Sequence, residues 1–285
     1  MSAQKDVEMK DAGADTKPDA TNTLEEIPLA QEIELTFGLL HKAAANFDNR
    51  YVSKVFRDLG AVRRKIAADP ASLAAVIVKT FPESHANRAA FLQHLPPLEG
   101  PIESVTDELK DPVLPEISAY VHLLVQIYLL DTKQWEHLAD FNASVVAFLS
   151  AHDRRTLDFL QAKLWFYVAR AAELRGDLLS VRPALTNALR SASLRHDDET
   201  TASVITLLLR NYLLSHDISQ AANLCEKTTF PANAGNALTA RYYYYLARIN
   251  TVQLDYTTAH ECVIAAIRKA PQTALARGFV QEATK

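Results

Sequence analysis

The stretch RHDDET, Arg195 to Thr200, gathers His196, Asp197, Asp198 and Glu199 into four consecutive positions. Histidine and carboxylate side chains are the types from which hydrolytic metal centres are built. Smaller His-Asp pairs recur at His152-Asp153 and His216-Asp217. Three dyads in one chain define a testable chemistry, a metal-dependent phosphohydrolase using His152, His196 and His216. The competing reading is structural, and the elements around the dyads decide between them.

Composition favours helices. The 285 residues include only 7 glycines, roughly a third of the number that an average usage of about 7% would supply. Hairpin turns and phosphate loops consume glycine, and neither a G-x-G-x-x-G nor a P-loop is present. No H-E-x-x-H helix and no nucleophile elbow stands out either. The two cysteines, Cys225 and Cys262, are too far apart for metal or redox spacing and read as small apolar residues in a reducing compartment. No apolar run approaches about 18 residues and no secretory leader is visible, so the expected location is cytoplasm and nucleus, with no membrane partner.

Charge is unevenly placed. Residues 1–28 carry seven acids against three lysines and almost no large apolar side chains before Leu24, so this tail is expected to be disordered. Residues 29–285 balance at 27 charges of each sign, which argues against nonspecific nucleic-acid binding. The one basic cluster, RDLGAVRRK at Arg57 to Lys65, lacks interleaved aromatics and reads as a solvated helix face.

Residues 29–95 read as short helices: a hairpin over Leu29–Phe47 and Arg50–Ala68, then helices near Ala71–Thr80 and Ser84–His94. Five prolines make 96–115 an extended linker. From 116 to 285 the pattern repeats. An apolar helix ends at a polar turn, and a large apolar residue opens a second helix in YLLDTKQWEHL, AELRGDLLSV, LLSHDISQAA and VQLDYTTAHE. Aligning Trp135, Leu178, Ile218 and Tyr256 gives spacings of 43, 40 and 38 residues. A period near 40 with two helices per unit predicts an all-α fold, a right-handed α-solenoid of TPR-like helical hairpins.

That frame offers the dyads a second role. Asp131, Asp153, Asp197 and Asp217 each precede an apolar helical run, where a carboxylate can accept the free amides of a first turn. DTKQ and DISQ add a glutamine three residues later, as in a capping box. In RHDDET the cations Arg195 and His196 would close one helix while Asp197, Asp198 and Glu199 open the next, complementing both helix dipoles. In RYYYYLAR, Arg241 to Arg248, helical spacing puts Tyr242 and Tyr245 on one face with Ile249, for packing between hairpins. No catalytic, metal or cofactor residue is expected on this reading.

Three segments, RRTLDFLQAKLWFYVARAAELRGDL, SLRHDDETTASVITLLLRNYL and ARYYYYLARINTVQLDYTTAHECVIAAIRKAPQ, resemble the regulatory subunit 3 family of the 26S proteasome lid. The most distinctive residues are Leu194, Arg195, His196 and Asp197, followed by Leu207, Leu208, Leu209, Arg210, Asn211 and Tyr212. The resemblance implies a non-catalytic scaffold whose partners are other lid subunits, with no small-molecule substrate and no cofactor. Such subunits join an α-solenoid to a PCI module. This chain reaches ARGFVQEATK before one begins, so the expectation is a fragment or a truncated product lacking the PCI assembly function. Solenoid–PCI subunits of the signalosome or of a translation initiation complex are the alternative within the same class.

Overall fold

A computed structural model describes residues 28–97 and 113–285. The acidic tail up to residue 27 and most of the proline-rich stretch lie outside the described residues. Among those described there are thirteen α-helices and no strand.

The first four helices, α1 (Leu29–Asn46), α2 (Asn49–Ala68), α3 (Pro70–Thr80) and α4 (Ala86–Leu92), form a small group. Four hairpins follow: α5 (Pro115–Asp131) with α6 (Trp135–Ala151), α7 (Asp158–Arg175) with α8 (Arg182–Arg195), α9 (Asp198–Leu214) with α10 (Ile218–Lys227), and α11 (Asn236–Val252) with α12 (Tyr256–Lys269). A last short helix, α13 (Arg277–Thr284), packs on α12. The first helices of the hairpins stack in a row, α5 on α7, α7 on α9, α9 on α11, while α6, α8 and α10 each bridge to the following hairpin. The molecule is an all-α solenoid, and α1, α2 and α4 pack on α5 so that the core continues into the stack.

Burial follows position in the row. In α5, thirteen of 17 residues are buried, and in α9 eleven of 17, because these helices have neighbours on every side. The peripheral α10 buries only Ala221, and α12 only Ala259, Cys262 and Ala266.

The turns share one hydrogen-bond design. Lys133, Gly176, His196, His216 and Leu254 all have left-handed backbone, with φ between 55° and 77°. After each, the next amide reaches back to the helix: Gln134 to Leu129, Asp177 to Ala172, Asp197 to Ala192, Asp217 to Tyr212 and Asp255 to Asn250, at 2.9–3.1 Å. The left-handed residue makes the companion bond to a carbonyl three positions earlier. This is the Schellman motif. In four of the five, the residue after the left-handed one is already the N-cap of the next helix, so the chain reverses in two residues. The His-Asp dyads His196-Asp197 and His216-Asp217 are therefore turns: a tolerated left-handed residue, then a cap.

Three of the cap assignments need correction. Asp131 is the last residue of α5, one turn too early to cap α6, and its carboxylate receives Arg63 Nε at 2.7 Å. Gln134 takes the N-cap position of α6, without a side-chain bond. Asp153 caps nothing, because a 3-10 turn at Arg155–Leu157 delays α7 to Asp158, and it pairs instead with Arg195 Nη1 at 2.9 Å. Asp217 occupies the N-cap position of α10, but its carboxylate turns to Ser215 Oγ and Arg182. Leu178 does not open its helix either: the turn after Gly176 runs four residues longer, so α8 starts at Arg182. Caps at Asp48, Asp69 and Asp255, accepting from Arg50, Ser72 and Thr258, were not anticipated.

His122 lies at the join between the first four helices and the stack. It is 1% exposed, stacked on Phe148 at 4.6 Å and edge-on to Phe91 at 4.6 Å, and donates through Nδ1 to the Ser118 carbonyl at 2.7 Å. Burial pulls its pKa down to about 4. The neutral ring is thus favoured when folded, while the unfolded chain takes up a proton near pH 6.5. Stability should fall as pH drops below about 6.5 and level off near 4, a loss of about 3 kcal/mol. His122→Phe should remove that part of the acid sensitivity in urea unfolding series; an unchanged acid slope would contradict it.

The turn design makes a second prediction. A Cβ at Gly176 meets nothing within 4 Å, so Gly176→Ala should cost only the left-handed backbone penalty, about 1 kcal/mol. Leu254 is exposed and already bears that penalty, so Leu254→Gly should gain up to about 1 kcal/mol. Denaturant midpoints moving in the same direction for both variants would rule out this account.

Candidate functional site

The two distinctive motifs sit at opposite ends of α9 and fix it to the hairpin before it. At the first end, Asp197 is 3% exposed and caps α9 through a 3.0 Å bond from the Thr200 amide to Oδ1. Thr200 Oγ1 donates to the Asp158 carbonyl at 3.1 Å and Ser203 Oγ to the Ala162 carbonyl at 3.3 Å, both on α7. Arg195 spans the gap with one nitrogen on Asp153 and another on Gln161 Oε1 at 3.0 Å, while Arg155 donates to its carbonyl at 3.2 Å. At the other end, Asn211 donates to the Leu178 carbonyl at 2.8 Å and accepts from Arg182 Nε at 2.7 Å. The Arg182 guanidinium lies 4.9 Å above the Tyr212 ring. A donor, an acceptor and a cation–π contact thereby hold the long α7–α8 turn against α9.

Leu208 and Leu209 are core residues and Leu207 is half-buried. Leu194 is 83% exposed and Asp198 and His196 are exposed, with Asp198 accepting from Asn233 Nδ2 at 3.2 Å. Glu199 is half-buried, and burial raises its pKa against the pull of Lys163. His196 and His216 stand at the two ends of α9, about 25 Å apart at 1.5 Å rise per residue, and cannot share a metal ion. His152 Nδ1 donates to the Phe148 carbonyl, 3.0 Å away. Among the described residues, no three His, Cys, Asp or Glu side chains gather where a metal could be held.

The row of first helices lines a groove of about 890 Å³ that runs from α7 across α9 and α11 to α13. Arg210 crosses its floor. It meets Glu173 of α7 with Nε at 2.9 Å and Nη2 at 2.6 Å, a two-point contact, and reaches Tyr245 Oη at 3.5 Å. Arg170 adds a 2.7 Å bond to the same carboxylate. Burial alone would raise the Glu173 pKa, but the hydrogen bonds and charge of Arg210, then of Arg170, hold it below its ordinary value. The bond to Glu173 raises Arg210 in turn. Three successive hairpins are thus tied by one chain of polar contacts, Arg170 to Glu173 to Arg210 to Tyr245.

Of the tyrosine run, Tyr245 is buried toward Arg210, whereas Tyr242 stacks on Phe230 at 4.3 Å on the side of the α10–α11 link. Tyr244 meets Phe279 of α13 at 5.4 Å, edge to face. Arg241 and Arg248 are exposed along the groove. Sequence reasoning selected Arg210, Arg241 and Tyr245 but missed Arg170 and Glu173, whose only trace is their one-turn spacing on a strongly helical segment. No helix of the described residues is long and apolar enough to cross a membrane.

Comparison with known proteins accords with this architecture. A family model described as PSMD3-like, N-terminal TPR repeats, matches residues 27–285. The Anopheles stephensi protein named probable 26S proteasome non-ATPase regulatory subunit 3 is 38% identical over 285 residues, covering 98% of this chain and 56% of that protein. The Schizosaccharomyces pombe probable 26S proteasome regulatory subunit rpn3 is 37% identical, with 93% and 54% covered, and the Saccharomyces cerevisiae 26S proteasome regulatory subunit RPN3 is 32% identical, with 90% and 54% covered. The chain spans about half the length of the curated relatives it matches. With the stacked hairpins matched from residue 27 to residue 285, the chain belongs to the PSMD3-like family, within its N-terminal TPR-repeat region.

Proposed function

We propose that this chain is the helical-repeat arm of a non-catalytic regulatory subunit of the 26S proteasome lid, acting as a scaffold that holds neighbouring lid subunits in place for ubiquitin-dependent protein degradation. The family match across 27–285 carries the reading. The geometry agrees with it, because the aspartates that first suggested chemistry are engaged in structure: Asp197 caps α9, Asp153 pairs with Arg195 and Asp217 with Arg182. What remains exposed is an extended surface, which is what a solenoid offers to protein partners. The hairpin-turn edge adds exposed apolar residues, Leu179 at 67%, Leu254 at 70% and Tyr256 at 62%. Its partners are other lid subunits, and its place of action is the cytoplasm and nucleus, with no cofactor or small-molecule substrate.

Affinity purification of the tagged chain from cells should recover lid subunits. Recovery of signalosome or translation-initiation subunits in their place, or of none of the three, would sink the assignment. The polar anchors should behave as structural groups. Asn211→Ala removes a buried side chain that pairs with the half-buried Leu178 carbonyl and with Arg182, and is expected to lower unfolding stability by about 1–3 kcal/mol. Chemical denaturation would check this, and a loss below about 0.5 kcal/mol would show that the motif is not an anchor.

A further inference from the structure

The anchor at the start of α9 holds more carboxyl groups than its hydrogen bonds explain. Asp197 uses Oδ1 to cap the helix, but its Oδ2 is buried without a partner. The guanidinium of Arg195 is 3.8 Å from that oxygen, too far for a hydrogen bond. Buried polar atoms are almost always paired, so an orphan oxygen needs an explanation. Across from it stands Asp158, the first residue of α7, held in place by Thr200 on its carbonyl. The two carboxyl groups are within hydrogen-bonding reach of each other. Two carboxylates sharing a poorly hydrated site cannot both ionise freely, and one retains its proton.

We propose that Asp158 and Asp197 share one proton, so that the RHD junction is a proton-binding site in which the Asp158 O–H donates to Asp197 Oδ2 and joins α7 to α9. The ligand is a hydrogen ion, taken from or returned to solvent with no other bond changed. The surroundings include both signs. Arg155 and Arg195 lie close to Asp158 and oppose proton uptake. Arg195 is itself engaged by Asp153, Arg154 by the buried Glu116 of α5, and α9 contributes Asp198 and the half-buried Glu199, which faces Lys163 of α7. On balance burial, and then the Asp197 carboxylate, push the Asp158 carboxyl up to about 7. The site is therefore half-occupied near neutrality. Because the folded affinity for the proton exceeds the unfolded one, the contact is complete below about pH 4 and is lost as pH rises through 7.

Thermal melting of the chain and of Asp158→Asn and Asp197→Asn, from about pH 5 to about pH 8, tests this. An asparagine at either position supplies an N–H donor that does not titrate, and at 197 it keeps the capping oxygen. The Tm of each variant relative to wild type should rise by several degrees across that range; the His122 contribution is common to all three chains and cancels. A flat difference for either variant overturns the shared proton. Should the variants fail to fold, infrared difference spectra of the wild-type chain between about pH 6 and pH 8 decide: loss of one protonated-carboxyl band supports the site, and no such loss overturns it.

Discussion

The solenoid depends on one local event, the reversal of a helix within two residues. A left-handed residue closes the first helix, and the following amide bonds back to it while that same residue begins the next helix. With so short a link, the second helix has nowhere to go but back along its predecessor, and the apolar faces meet. Four of the five left-handed positions hold a lysine, two histidines and a leucine, which tolerate this backbone less well than glycine. The unfavourable backbone persists because the stack over-determines it: each turn adjoins one helix of the central row, which is packed against its neighbours in that row.

Much of this was legible in the sequence. The spacing of Trp135, Ile218 and Tyr256 located three helix starts, and the charge reversal in RHDDET located the boundary between α8 and α9. Both signals are local, since a period and a cap are written in consecutive residues. The failures have a different cause. Asp131 and Asp153 look like caps in the sequence, but Asp131 still belongs to α5 and a 3-10 turn follows Asp153, and each carboxylate is claimed by an arginine 68 or 42 residues away. Asp217 is drawn off by Arg182. Long-range charge pairing competes with local capping, and nothing in the neighbouring residues reveals which will win. The groove contacts of Arg170 and Glu173 were missed for the same reason, because they are defined by Arg210 on another hairpin.

Several residues of the two motifs at the ends of α9 are turned into the stack, although Leu194 and His196 are exposed. Asn211 and Asp197 are buried, and Arg182 and Arg195 are turned onto neighbouring helices. Their contacts set the register of α9 against α7 and the α7–α8 turn. The polar anchors at both ends of α9 fix its register where apolar packing alone would allow slippage.

The turn design also governs where the chain can change length. A Schellman turn that is already a helix cap has no slack, since one added residue would separate the left-handed position from the cap and break both sets of hydrogen bonds. Added or deleted residues can be absorbed only where helices are joined by longer segments, at 152–157, 177–181, 228–235 and 270–276. Repeat units of 43, 40 and 38 residues are one fold with that slack taken up differently.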